Sequence, residues 1–188
     1  MQNDAWGLLV RDGLPEHLRV LADLYPREGW AGHSNFDDLT RFWLERHLMF
    51  RRLQGMLLEV TEASLDGADP RETGRNIHRL AGTLIGELHT HHGIEDHHYF
   101  PMLKAKDARL VQAFELLDRD HHAMDGLLEA LVERTNGALQ ALGGDGRAAM
   151  GALREEVVRF ETFLNRHLTD EEEIVVPVIL EHGGADLR

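Results

Sequence analysis

The segment from His89 to Pro101, "HTHHGIEDHHYFP", places five histidines, a glutamate and an aspartate within thirteen residues. Imidazole and carboxylate together suit Fe, Mn or Zn, and imidazole also suits Cu and Ni. A second segment repeats the spacing. "HHGIEDHHYFP" (91–101) and "HLTDEEEIVVP" (167–177) both read histidine, glutamate four residues on, a further acid, then proline ten residues after the histidine. The offset is 76 positions. "HLMFRRL" (47–53) and "HHAMDGL" (121–127) echo one another too, each giving histidine, a large apolar residue at +3 and leucine at +6, at an offset of 74. A two-helix unit is therefore present twice.

On a helix, residues four apart share a face, with Cβ atoms about 5–6 Å apart. His91 with Glu95, and His167 with Glu171, can each offer a nitrogen and a carboxylate to a common centre. His47 and His121 lie in the apolar rows of the partner helices and face the same centre. Burying two carboxylates together without a cation is costly, and one of them would have to protonate. Divalent metal removes both problems. Four histidines and two bridging carboxylates give four donors to each of two ions and leave positions for solvent and an outside ligand.

A single histidine on an apolar face is more often a satisfied core residue than a ligand. Four of them, two in the H-x3-E spacing and all related by a repeat, outweigh that reading. His17, His33, His78, His89, His97 and His182 read as surface or cap histidines. His92, His98 and His122 are intermediate, with His98 one turn past Glu95 on the inward row. Asp96, Glu172 and Glu173 read as solvated acids or as supports behind the ligands. Met102, Met124 and the aromatic stripe read as core. Of the seven candidates in the opening segment, only His91 and Glu95 are expected to touch metal.

Four helices must position these groups. The first starts after Ser34-Asn35 and stops near Gly67, with an inward row of Leu39, Trp43, His47, Phe50, Gln54 and Leu57. The second opens at "DPRE", with Asp69 as N-cap, Pro70 at the first helical position and Glu72 completing a capping box. Its row is Leu80, Leu84, Leu88, His91, Glu95, His98 and Met102, and Pro101 should kink or end it. The third runs from near Asp107 to Gly143-Gly144, with the row Val111, Phe114, Leu117, His121, Met124, Leu128 and Leu131. The fourth runs from near Asp145 to Gly183-Gly184, with the row Phe160, Leu164, His167, Glu171, Ile174 and Val178. Long helices with short connections predict an all-α, up-down-up-down four-helix bundle. Gly82 and Gly86 would let a neighbouring helix approach closely. Residues 1–35 read as a separate arm, with a short helix after Pro15 and a loop over "PREGWAGHSN"; the bundle is expected over 36–182.

The net charge of −13 makes nucleic acid and anionic membranes poor partners. With no cysteine, disulfides, iron–sulfur clusters and thiolate zinc sites are excluded, which suits a reducing cytosol. The longest apolar stretch, "IVVPVIL" at 174–180, is too short to span a bilayer. The first twenty residues carry Asp4, Arg11, Asp12, Glu16 and Arg19 and lack an apolar signal core, so a cytoplasmic location is expected. Hydrolytic motifs and glycine-rich phosphate loops are not visible.

At "RHLMF", "HHGIEDHHYFP", "RDHHAMDGLL" and "HLTDEEEIVVP", which span about 36–182, the chain resembles the hemerythrin-like family, in particular the bacterial HHE cation-binding domains. The resemblance implies a four-helix bundle holding two iron ions bridged by two carboxylates and an oxo or hydroxo group. By position, His47, His91, His121 and His167 would be iron ligands, and Glu95 and Glu171 the bridges. In the family's oxygen carriers the fourth-helix acid stands five residues after its histidine, the place of Glu172. In many HHE proteins it stands four after, the place of Glu171, which helical direction favours. The oxygen carriers also have H-x3-H on the third helix, whereas here Asp125 follows His121 at +4. One iron therefore has either Asp125 as a donor or an open position, and an open position points to reactivity rather than simple oxygen carriage.

The leading expectation is a di-iron protein that binds or senses O2, NO or peroxide, or redox state. It would be a binding protein rather than a dedicated enzyme, with weak oxidase- or peroxidase-type activity at most and a protein partner or second copy for output. Two alternatives stand beside it: an iron-storage or iron-sensing module without ligand chemistry, and a structural bundle filled with zinc. Zinc or manganese would accept the same donors.

Overall fold

The computed structural model describes residues 7–187. The first six residues of the expected arm, Asp4 among them, and residue 188 lie outside the described residues. Every regular element among the described residues is helical. The long ones are α1 (Asp38–Leu65), α2 (Pro70–Ile94), α4 (Val111–Ala141) and α5 (Arg147–His182), with the short α3 (Phe100–Lys106) following a five-residue π turn, Glu95–Tyr99. None of these helices is long and apolar enough to cross a membrane.

Local chemistry explains most of the ends. Asp69 Oδ1 accepts from the Glu72 N–H at 2.8 Å, so α2 is capped as its sequence predicts. The start of α1 differs. Asp37, not Ser34 or Asn35, accepts from the Thr40 N–H and hydroxyl, each at 2.9 Å. Asn35 instead donates its side-chain amide to the Leu180 carbonyl at 2.7 Å, serving the far end of α5. Gly67, Gly143 and Gly183 have positive φ and stop α1, α4 and α5, a left-handed turn that costs glycine no Cβ clash.

Pro101 neither ends nor interrupts the helical path. The Phe100 N–H donates to the Glu95 carbonyl, five residues back, so the chain has widened into a π turn before the proline is reached. The extra residue also shifts the inward row. His98, expected to face inward, is exposed, while Phe100 and Leu103 are buried. Pro177 likewise lies inside α5 without ending it.

The described chain forms two compact units. One comprises the segment through His47, His91–His122 and the segment from Asn165 onward. Its core joins Leu14, Leu18 and Leu21 to Trp43, Phe100, Phe114, Leu117, Ile174 and Val178, with a smaller cluster of Trp30, Val176 and Leu180. The N-terminal segment thus enters this unit's core. It contains two short 3-10 helices, Glu16–Leu18 directly after Pro15 and Arg27–Gly32 within the stretch expected as loop.

The other unit comprises Leu48–Thr90 and Ala123–Leu164. Phe50, Leu57, Leu84, Leu131, Leu153 and Phe160 are fully buried in it, and Gln54 donates to the Val157 carbonyl at 2.9 Å. Gly82 and Gly86 correct the sequence reading. Both are exposed, and a Cβ built on either meets nothing within 4 Å. They only weaken α2, so Gly82→Ala and Gly86→Ala should each stabilise the chain by up to about 1 kcal/mol in denaturant unfolding. Destabilisation would show that something does approach that face.

Candidate metal centre

Four helical segments bring their acids and imidazoles into one compact unit. On α1, His47 follows Trp43 by one turn and both are buried. The last turn of α2 carries His91 and His92, and Glu95 opens the π turn. On α4 stand Asp120 and His121, and on α5 His167, Asp170, Glu171 and Glu172. A π turn in this place is itself notable, because such widened turns occur mostly at functional sites.

Two sets of donors result. His47, His91, Glu95 and Glu171 each bring one ligand-capable atom into a group whose members all lie within 4.8 Å of one another. His47 Nε2 is 3.2 Å from His91 Nε2 and 3.4 Å from Glu171 Oε1, and His91 Nε2 is 3.0 Å from Glu95 Oε1. His92, His121 and His167 form the second group on the same criterion. His121 Nε2 lies 3.7 Å from Glu95 Oε2, and His167 Nε2 lies 3.4 Å from Glu171 Oε2. Each carboxylate therefore turns one oxygen toward each group. His121 is sandwiched, with its ring 4.1 Å from His92 and 5.3 Å from Phe100, both stacked.

The centre is deeply buried. The side chains of His167 and Glu171 are wholly inaccessible, and those of His47 and Glu95 are 1% exposed. Yet His92 Nε2, His121 Nε2, both ring nitrogens of His167 and all four oxygens of Glu95 and Glu171 lack a hydrogen-bond partner. The close approach of His91 to Glu95 is not aligned as a hydrogen bond. Each such orphan costs about 1–3 kcal/mol, and more where it is charged. A cation bound by Nε2 of these histidines and by the carboxylate oxygens removes that cost there, so the donor set fits divalent metal.

Electrostatics agree. Burial pushes Glu95 well above the carboxylate range, and repulsion from Glu171 adds to it. For Glu171 burial is outweighed by the imidazoles of His47, His91 and His167, which hold it well below that range. Burial also opposes charge on His47, but Glu171 and Glu172 prevail and raise it to about 9. His91 is lowered to about 3 by burial, reinforced by the histidines around it. At neutral pH His47 thus holds a proton that a divalent cation would displace.

Groups behind the imidazoles fix their directions. Asp96 Oδ1 lies 2.7 Å from His121 Nδ1, and Glu172 Oε1 lies 3.0 Å from His47 Nδ1. Asp120 Oδ2 faces His167 Nδ1 at 3.6 Å, an electrostatic contact longer than a hydrogen bond. Carboxylates on Nδ1 set the tautomer that leaves Nε2 free to bind. Trp43 Nε1 lies 3.1 Å from His47 Nε2 and can donate to it when that nitrogen is deprotonated.

Six of the eight residues expected as ligands therefore stand in the two groups: His47, His91, Glu95, His121, His167 and Glu171. Glu172 and Asp125 do not. Glu172 is occupied by His47 Nδ1 on one oxygen and by Arg27 on the other. Asp125 is exposed, because the buried stripe of α4 steps from His121 to Met124 and Leu127–Leu128 and leaves 122, 125 and 129 on the wet side. The imidazole that joins His121 and His167 is His92, which the sequence reading left intermediate. Its signal was present: His92 stands three residues before Glu95, a spacing that shares a helix face as four does. The Arg11–Asp120 and Arg27–Glu172 pairings had no such signal, being far apart in sequence.

No curated protein and no solved structure matches the chain. The family model of the hemerythrin HHE cation-binding domain matches residues 38–179, which include every one of these histidines and acids from His47 to Glu172, and the chain belongs to that family.

Proposed function

We propose that this chain is a non-haem two-iron protein, its ions bridged by Glu95 and Glu171, that binds or senses O2, NO or peroxide. The reading includes an up-down-up-down bundle of α1, α2, α4 and α5 over 36–182, with residues 1–35 as an arm. The observation that carries it is the division of each buried carboxylate between two imidazole groups. His47 and His91 with one oxygen of each carboxylate would hold one ion. His92, His121 and His167 with the other two oxygens would hold the second.

When bound, iron supplies reversible one-electron chemistry and open positions for a small ligand. The chain's own residues do the rest. Four donors converge on the His47–His91 side and five on the other, so the His47–His91 side is where an outside ligand would enter. His91 is the most exposed of the imidazoles there, at 10%. Asp96 and Glu172 keep Nδ1 of His121 and His47 engaged, and Asp120 faces Nδ1 of His167 electrostatically, holding Nε2 inward as ion charge changes. Burial keeps bulk water out, which strengthens every charge interaction inside.

Elemental analysis with an absorption spectrum, before and after dithionite, tests the assignment. Two irons per chain and a near-ultraviolet ferric absorption that dithionite bleaches are expected. A colourless protein with two zincs would overturn the iron reading in favour of a structural bundle. Iron that neither changes spectrum with NO nor consumes peroxide would point to storage.

A further inference from the structure

Two arginines of the segment before α1 reach the back of this centre. Arg11 is buried, with a side chain 3% exposed. Its Nη1 donates to Asp120 Oδ1 at 2.8 Å, its Nη2 pairs with Asp120 Oδ2, and its Nε donates to Asp170 Oδ2 at 2.9 Å. Asp120 in turn faces Nδ1 of His167. Arg27 Nη2 forms an ion pair with Glu172 Oε2 at 2.6 Å, while Glu172 Oε1 engages Nδ1 of His47. Arg27 is itself held over the Trp30 ring, 4.5 Å from its centroid, and the Trp30 Nε1–H donates to the Tyr25 carbonyl at 2.8 Å. Both arginines precede residue 38, where the match to the family's cation-binding domain begins.

We infer that the N-terminal segment is a working part of the metal centre: Arg11 and Arg27 are positioning residues that lock Asp120 and Glu172 against His167 and His47, one histidine in each donor group. The reason is geometric. A carboxylate can orient an imidazole only if its own second oxygen is fixed, and a bidentate or charge-assisted guanidinium contact fixes it. Without Arg27, Glu172 can swing toward solvent on the Arg27 side, and His47 loses the partner that sets its ring and tautomer. Because each clamp serves a different group, loosening either one should release one ion faster than the other. The inference rests on the two-ion reading above.

Arg27 makes the cleaner test, since its side chain is 48% exposed and the fold does not depend on burying it. Arg27→Ala, Arg27→Lys and Glu172→Gln would be purified metal-free and loaded anaerobically with Fe(II), and iron release to a ferrous chelator followed by stopped flow. Circular dichroism and melting of the metal-free forms report folding. Arg27→Ala should release one of the two irons about 10–100-fold faster with unchanged metal-free melting. Arg27→Lys should recover part of the loss, and adding Glu172→Gln to Arg27→Ala should cost little more. Arg11→Ala should speed release of the other iron if it folds. Biphasic release in Arg27→Ala indistinguishable from wild type would overturn the inference. Wild type that takes up no iron would instead overturn the functional reading.

Discussion

Loading with Fe(II) should raise the melting temperature by about 8–16 °C, and Glu171→Ala should abolish the rise. A ligand that binds only the folded state at about a thousand times its Kd stabilises by about 4 kcal/mol. For a chain of this size each kcal/mol moves melting by about 2–4 °C. Glu171 carries so much because both of its oxygens are used, one at each donor group, and because it is the acid held ionised by His47, His91 and His167. Glu129→Ala, at an exposed position of α4, should keep the full rise. Calorimetry with and without metal measures it. The same uptake should release protons. His47 is raised to about 9 by Glu171 and Glu172 against its burial, so it is protonated in the metal-free chain at pH 7. Affinity should therefore increase with pH, by about tenfold per unit for each proton displaced, and weaken as pH falls. A pH-independent affinity would mean that His47 is not a ligand.

The second large effect separates His92 from Asp125. His92→Gln should weaken the second iron by at least about 100-fold, since even partners behind a ligand are worth 10–100-fold. Asp125→Ala should keep two irons at wild-type affinity, because its side chain faces solvent. Isothermal titration with Fe(II) reads both. Loss of an ion in Asp125→Ala with two ions retained in His92→Gln would restore the arrangement that helical spacing alone suggests.

Why that spacing leaves Asp125 open as a donor is instructive. His121 and Asp125 are four apart, as are His91 and Glu95. In α4, however, the buried stripe follows a three-residue step to Met124, which turns Asp125 outward. Spacing gives the set of faces a residue can share, not which one the neighbouring helices cover. The same limit applies to His98. Five residues, Glu95–Tyr99, make one wide turn where ordinary helical spacing was assumed, and every position beyond it rotates. What was legible was whatever the repeat encoded twice: His47 with His121, His91 with His167, Glu95 with Glu171. The N-cap at Asp69 and the glycine stops were legible because they are local. The Arg11 and Arg27 clamps were not, since each joins residues more than a hundred positions apart and neither belongs to the repeat.

Anomalous diffraction at the iron edge, from crystals of the Fe(II)-loaded chain, tests the central claim most directly. Two peaks about 3.5–4 Å apart are expected, one ligated by His47 and His91, the other by His92, His121 and His167, with Glu95 and Glu171 reaching both. A single peak, or either glutamate turned away from the ions, would contradict it.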